Sequence, residues 1–177
     1  MKRLLFLTLA VYYLFLTGDR LYSQLSEAQV KAAFIEKFTH FIDWPDDSVT
    51  HKPFVIFVFP DSPMLPFLKQ LLSNHRIKNK PVEILVSENL MLLDSANIAI
   101  FHSAQQNLMP TIRSIIRDKP ILTIGDYPGF LDDGGILLLY REENTIHFSI
   151  NIKALAHTGL VVSSQLLKLA KIYQSDE

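Results

Sequence analysis

The chain has 177 residues, 49% hydrophobic and 20% charged, with 17 basic and 18 acidic side chains for a formal net charge of −1. Such a composition excludes a disordered chain and suits one globular domain. Without a basic excess nucleic-acid binding is not expected, and without cysteine the chain can form neither a disulfide nor a thiol redox switch of its own.

Lys2 and Arg3 precede an apolar stretch from Leu4 to Leu16. That stretch is shorter than the roughly 20 residues that span a bilayer, so the expectation is a secretory signal peptide. Gly18, Asp19 and Arg20 end it, and Ser23 offers a cleavage point before Gln24. The alternative is an uncleaved inner-membrane anchor. On the secretory reading, residues 1–23 are removed and 24–177 form a single periplasmic domain, with 14 basic side chains against 17 acidic ones.

The first element of that domain carries complete start signals. Ser26 is placed as N-cap, Gln29 three residues on closes a capping box, and Leu25 faces Val30 as a hydrophobic staple. A helix is expected from Glu27 to Ile42, with Val30, Ala33, Phe34, Ile35, Phe38, Phe41 and Ile42 over a wide apolar arc. Pro45 disfavours helical geometry at Trp44 and stops it. The breadth of the arc makes Phe34, Phe38, Phe41 and Trp44 candidates for an interface, with a plain core helix as the competing reading.

Short apolar runs then alternate with amphipathic ones: FVIFVF (54–59), a helix over 62–74, PVEILV (81–86), NIAIF (97–101), a helix over 104–117, and PILTIG (120–125). This alternation predicts an α/β three-layer sandwich on a mostly parallel sheet. GGILLLYREENTIHFSIN predicts a C-terminal antiparallel hairpin at one edge, turning at 142–144, with Thr145, His147 and Ser149 outward and Ile146, Phe148 and Ile150 inward. Gly134 and Gly135 turn the chain into the hairpin. Gly159 stops a helix, LVV adds a brief strand, and SSQLLKLAKIY forms a last, serine-capped helix.

In a parallel sheet, ligands sit at the carboxyl ends of the strands. Those ends carry Asp61 and Ser62, then His102 and Ser103, then Asp126. They form a candidate ligand edge, and an exported hydrolase using His102 and Ser103 is a third reading. Against both, Ser62 and Ser103 read as helix caps and the aspartates as turn residues. No G-x-S-x-G elbow or phosphate loop is present. His40, His51, His75, His102, His147 and His157 lack the spacing of a metal site, and no cofactor is expected.

Three segments together resemble the YfiR-like family of periplasmic regulators: QVKAAFIEKFTHFIDWP, PILTIGDYPGFLDDGGIL and HFSINIKALAHTGLVVSSQLLKLA. Their order spans nearly the whole mature chain. The resemblance implies a non-enzymatic, often homodimeric α/β protein that binds the extracytoplasmic sensor domain of an inner-membrane signalling enzyme. In one branch the target is a diguanylate cyclase, held inactive until an outer-membrane lipoprotein draws the regulator away; similar domains stand beside histidine kinases and outer-membrane uptake systems. Phe38, Trp44, Asp126, Gly134, Gly135, Asn151, Ser163 and Ser164 match the family pattern, mostly as fold determinants, with Asn151 placed to cap the helix after the hairpin. That branch carries disulfide-forming cysteines, which this sequence lacks, so redox control does not carry over. A periplasmic small-ligand binding domain using the strand-end edge is the alternative function.

Overall fold

The computed structural model describes residues 26–45 and 52–174. The signal-like segment and Leu25 of the staple lie outside the described residues. Helix α1 (Glu27–Phe38) starts where its cap dictates, with the Ser26 hydroxyl accepting from the Gln29 amide at 3.2 Å. It ends four residues before the expected Ile42. The amides of Thr39, His40 and Phe41 each bond back three residues, tightening the last turn into 3-10 geometry, and the Thr39 hydroxyl donates to the Glu36 carbonyl. Ile42–Asp43 then form strand β1, paired antiparallel with β9 (Val161–Val162). The helical periodicity of the sequence cannot anticipate this pairing, because its partner lies more than a hundred residues away.

The main sheet has eight strands. They are β2 (Phe54–Val58), β3 (Arg76–Ile77), β4 (Lys80–Val86), β5 (Ile98–Phe101), β6 (Leu122–Gly125), β7 (Leu137–Glu142), β8 (Thr145–Asn151) and β10 (Lys171–Tyr173). Their spatial order is β10-β8-β7-β6-β5-β2-β4-β3. Neighbours from β4 to β7 run parallel, whereas β3 with β4 and β7 with β8 are antiparallel. Every residue of β2 is buried, as expected of a central strand covered on two faces, so FVIFVF shows no polar alternation.

Two helical layers cover the sheet. On one face α1 and α2 (Leu65–Leu72) pack on Ile56, Val58, Ile98, Ile100 and Ile124. On the other, a 3-10 helix (Leu90–Ser95), α3 (Met109–Ile116) and residues 127–131 pack on Phe57, Ala99 and Phe101. The three-layer α/β expectation holds. Helix α2 is shorter than expected because Pro63 and Pro66 crowd its start and Asn74 takes a left-handed φ of 61° just beyond its end. The expected 104–117 helix is a 3-10 turn (Ser103–Leu108) followed by α3, with Pro110 in its first turn, where no amide is needed.

The C-terminus departs most from the sequence reading. Asn151 does cap α4 (Ile152–Ala156), accepting from the Ala154 amide at 3.0 Å. The last helix, α5, spans only Ser164–Leu169, capped by the Ser163 hydroxyl, and the chain then extends as β10, parallel to β8 and outside the hairpin. Strand β9 does not join the main sheet but forms a separate two-stranded sheet with β1. Ser149, expected to face outward, is buried. Its cross-strand neighbour Leu138 packs in the second core cluster, so both faces of the hairpin are covered at that end.

Candidate functional site

The chain leaves β2 toward β4 on one side and returns to β5 on the other, so the sheet reverses its winding between β2 and β5. A crevice opens at the carboxyl ends of two strands at such a reversal. The sequence places Asp61 and Ser62 just after β2 and His102 just after β5, and these three side chains do come together. His102 Nε2 lies 3.1 Å from Asp61 Oδ1. The contact is short, but its geometry falls short of a directed hydrogen bond. His102 beside it holds the Asp61 carboxyl below the usual carboxylate range, against the opposing effect of burial.

Two local expectations fail here. Ser62 does not cap α2: its hydroxyl is buried with no hydrogen-bond partner, because the cap position has moved to Met64. Ser103 does not cap the 3-10 helix either. His102 does so through Nδ1, with Gln105 reaching back to the His102 amide at 3.1 Å to complete the box. With no hydrogen bond from Ser62 to His102, and with Ser103 exposed, the edge holds no serine activated by a base.

Asp126 is taken up elsewhere. Lys31, buried in α1, sits 3.1 Å from Asp126 and 2.7 Å from Glu27, and Arg141 of the hairpin reaches Glu27 at 3.8 Å. This chain of charges ties α1 to the end of β6 and to the hairpin. Sequence reading missed Lys31, which sits at i+4 from Glu27 and looks like half of an ordinary surface pair.

The aromatic group divides. Phe38 and Trp44 are core residues, 2% and 6% exposed. Phe38 packs on Phe34 and Phe148, while Trp44 sits edge-on to Phe54 and donates its indole N–H to the Asn97 carbonyl. Neither offers surface to a partner in this conformation. Phe34 and Phe41 are half-buried against the same cluster and keep an outer edge.

The Gly134-Gly135 pair does turn the chain, with φ of 89° at Gly134, and it has a second purpose. A Cβ at Gly135 would come within 2.2 Å of the Phe130 ring, and one at Gly125 within 2.3 Å of it. Beside this ring, Tyr127 donates to Asp133 at 3.3 Å; burial and Asp133 raise the phenol well above its ordinary pKa. Among the described residues no group of His, Asp and Glu is arranged to hold a metal ion, and no helix is long and apolar enough to cross a membrane.

A family model described as YfiR/HmsC-like matches residues 28–171. No curated protein matches the chain. Among solved structures, it resembles a conserved domain protein from Vibrio cholerae at 10% identity and a TM-score of 0.53, over 84% of this chain and 60% of that one. It also resembles an ABC domain in complex with L-Trp from Streptococcus pneumonia at 12% identity and a TM-score of 0.51, over 82% and 60%. At such identities the likeness is one of fold alone, and the chain spans 60% of the length of each.

Proposed function

The chain belongs to the YfiR/HmsC-like family, and from that premise we propose that it is an exported, non-catalytic regulator of an inner-membrane signalling enzyme. It acts in the periplasm on the extracytoplasmic sensor domain of a diguanylate cyclase or, as runner-up, a histidine kinase. The observation that carries this reading is the family match over 28–171, which takes in every helix and strand but for the first residue of α1 and the last two of β10.

The partner face we assign is the outer margin of α1 with the small β1–β9 sheet. Phe34 and Phe41 keep exposed edges there, Val161 is 63% exposed, and the Ser163 amide bonds the Phe41 carbonyl, so the two pieces adjoin. Phe38 and Trp44 act behind this face, as its support. Regulation then requires differential binding: the protein lowers activity only insofar as this face prefers the inactive conformation of the sensor. A second copy of the chain and an outer-membrane lipoprotein are the further partners proposed, the latter as competitor for the regulator.

A photo-crosslinking residue at Phe41 tests the assignment. An inner-membrane protein with an extracytoplasmic sensor domain is the expected product, and deletion of the gene should shift cellular cyclic-di-GMP. No membrane protein in the crosslinked fraction and an unchanged nucleotide level would overturn it.

One observation favours the second reading, a small-ligand site at the strand ends. Ser62 Oγ is buried without a hydrogen-bond partner at the winding reversal, close to the His102–Asp61 contact, where a ligand could satisfy it. The similar fold crystallised with L-Trp makes that amino acid the first compound to assay by thermal shift. A flat response to L-Trp and to a broad metabolite panel counts against it.

A further inference from the structure

A groove of about 670 Å³ lies between α3 and α4, away from both the strand-end crevice and the α1 margin. Its size falls within the roughly 300–1,000 Å³ of small-molecule sites. The floor is apolar, from Met109, Ile121, Leu131 and Ile136, all buried. Polar atoms reach this floor too, but they are already satisfied. The Thr123 hydroxyl accepts from the Ile136 amide at 2.9 Å, and the Asn151 side-chain amide donates to the Leu131 carbonyl at 3.1 Å. An occupant therefore finds apolar contact at depth, and its polar end must be met at the rim.

The rim carries a cationic excess. Arg113, Arg117 and Lys153 line it, with His157 beside them, against Asp118 and Asp132. Both acids are engaged: Asp118 lies 3.7 Å from Arg117 in a solvent-exposed pair, and Asp132 accepts from the Tyr173 hydroxyl. The exposed pair contributes little and yields easily to a better anion. Arg113 has no ion-pair partner among the described residues. Its side chain lies across Gly134, where a Cβ would stand 3.1 Å from its Nε. A guanidinium at the groove wall without a carboxylate partner is available to receive one from outside, in the two-pronged geometry arginine favours.

We propose that this groove binds a small organic carboxylate with an apolar body, its anionic end on Arg113 and Arg117 and its body on the apolar floor. This site is independent of the partner face and of the strand-end crevice.

The experiment is a titration of the isotope-labelled chain, followed by amide NMR, with 3-phenylpropionate, cyclohexanecarboxylate and octanoate, each beside its neutral primary amide. At least one acid is expected to perturb amides in 113–118, 131–136 and 151–158, with an affinity roughly tenfold or more above its amide, the weight of a charge-assisted hydrogen bond. Arg113→Gln should weaken the acid by a similar factor and leave the amide unchanged; Arg117→Gln, fully on the surface, gives the same reading if the first variant disturbs the Gly134 turn. Equal affinity for acid and amide, no perturbation by any of the three acids, unchanged acid affinity in both variants, or perturbations centred on residues 61–62 and 102–105 would each overturn the proposal.

Discussion

The ring of Phe130 lies between Gly125 and Gly135, and at neither glycine does a methyl group have room. Overpacking of this kind costs about 1–3 kcal/mol, so Gly125→Ala and Gly135→Ala are each expected to lower the urea midpoint, and Phe130→Leu placed beside Gly125→Ala should recover part of the loss. Gly135 reads as a turn residue in the sequence and Gly125 as a strand end; that both make space for one ring is visible only in the packing. Lys31 sets up a second test. It is 5% exposed and paired to Asp126, so Lys31→Met leaves a poorly solvated carboxylate and should cost about 3 kcal/mol, whereas Lys31→Met with Asp126→Leu should come close to wild type in chemical denaturation. Ser62→Ala removes a buried hydroxyl that bonds nothing, and is expected to be neutral or stabilising by up to about 1 kcal/mol. A clear loss of stability in that variant would mean that a bound molecule satisfies the hydroxyl.

Helix α1 concentrates the charge contacts of the fold, and its stability should follow their titration. Burial alone would raise the Glu36 carboxyl, but hydrogen bonds from His40 and Lys37 outweigh it and hold it below its ordinary 4.5; Glu27 is lowered in the same sense, chiefly by its hydrogen bond from Lys31. A folded-state value below the unfolded one gives stability that is present above about pH 4.5 and lost as pH falls through the folded value. The denaturation midpoint should therefore fall on acidification below about pH 4.5, and less steeply in Glu36→Gln. The C-terminal segment offers an element-scale test as well. Strand β10 covers the edge of β8; the Asn151 amide points the other way, to the Ile136 carbonyl, so truncation after Ala170 should raise hydrogen exchange at the Ile150 amide roughly tenfold or more. The Lys171–Tyr173 segment reads as helix because leucines and lysines precede it at helical spacing. It becomes strand because an open sheet edge lies within reach and its amides are satisfied there.

At the scale of the molecule, the strand order puts the winding reversal between β2 and β5, and this alone brings Asp61, Ser62 and His102 together while Asp126 is turned toward Lys31. What the sequence by itself determined is the layered α/β class, the existence of most elements, the caps at Ser26, Asn151 and Ser163, and a family pattern, because caps, turns and the periodicity of burial are local and written over a few residues. What only the tertiary structure decided is long-range: the β1–β9 pairing that ends α1 early, the burial of Phe38 and Trp44, the Lys31–Asp126 bridge across 95 residues, and the groove between α3 and α4. Each joins segments far apart in the chain, where burial and electrostatic pairing outweigh the fractions of a kcal/mol by which local propensity distinguishes helix from strand.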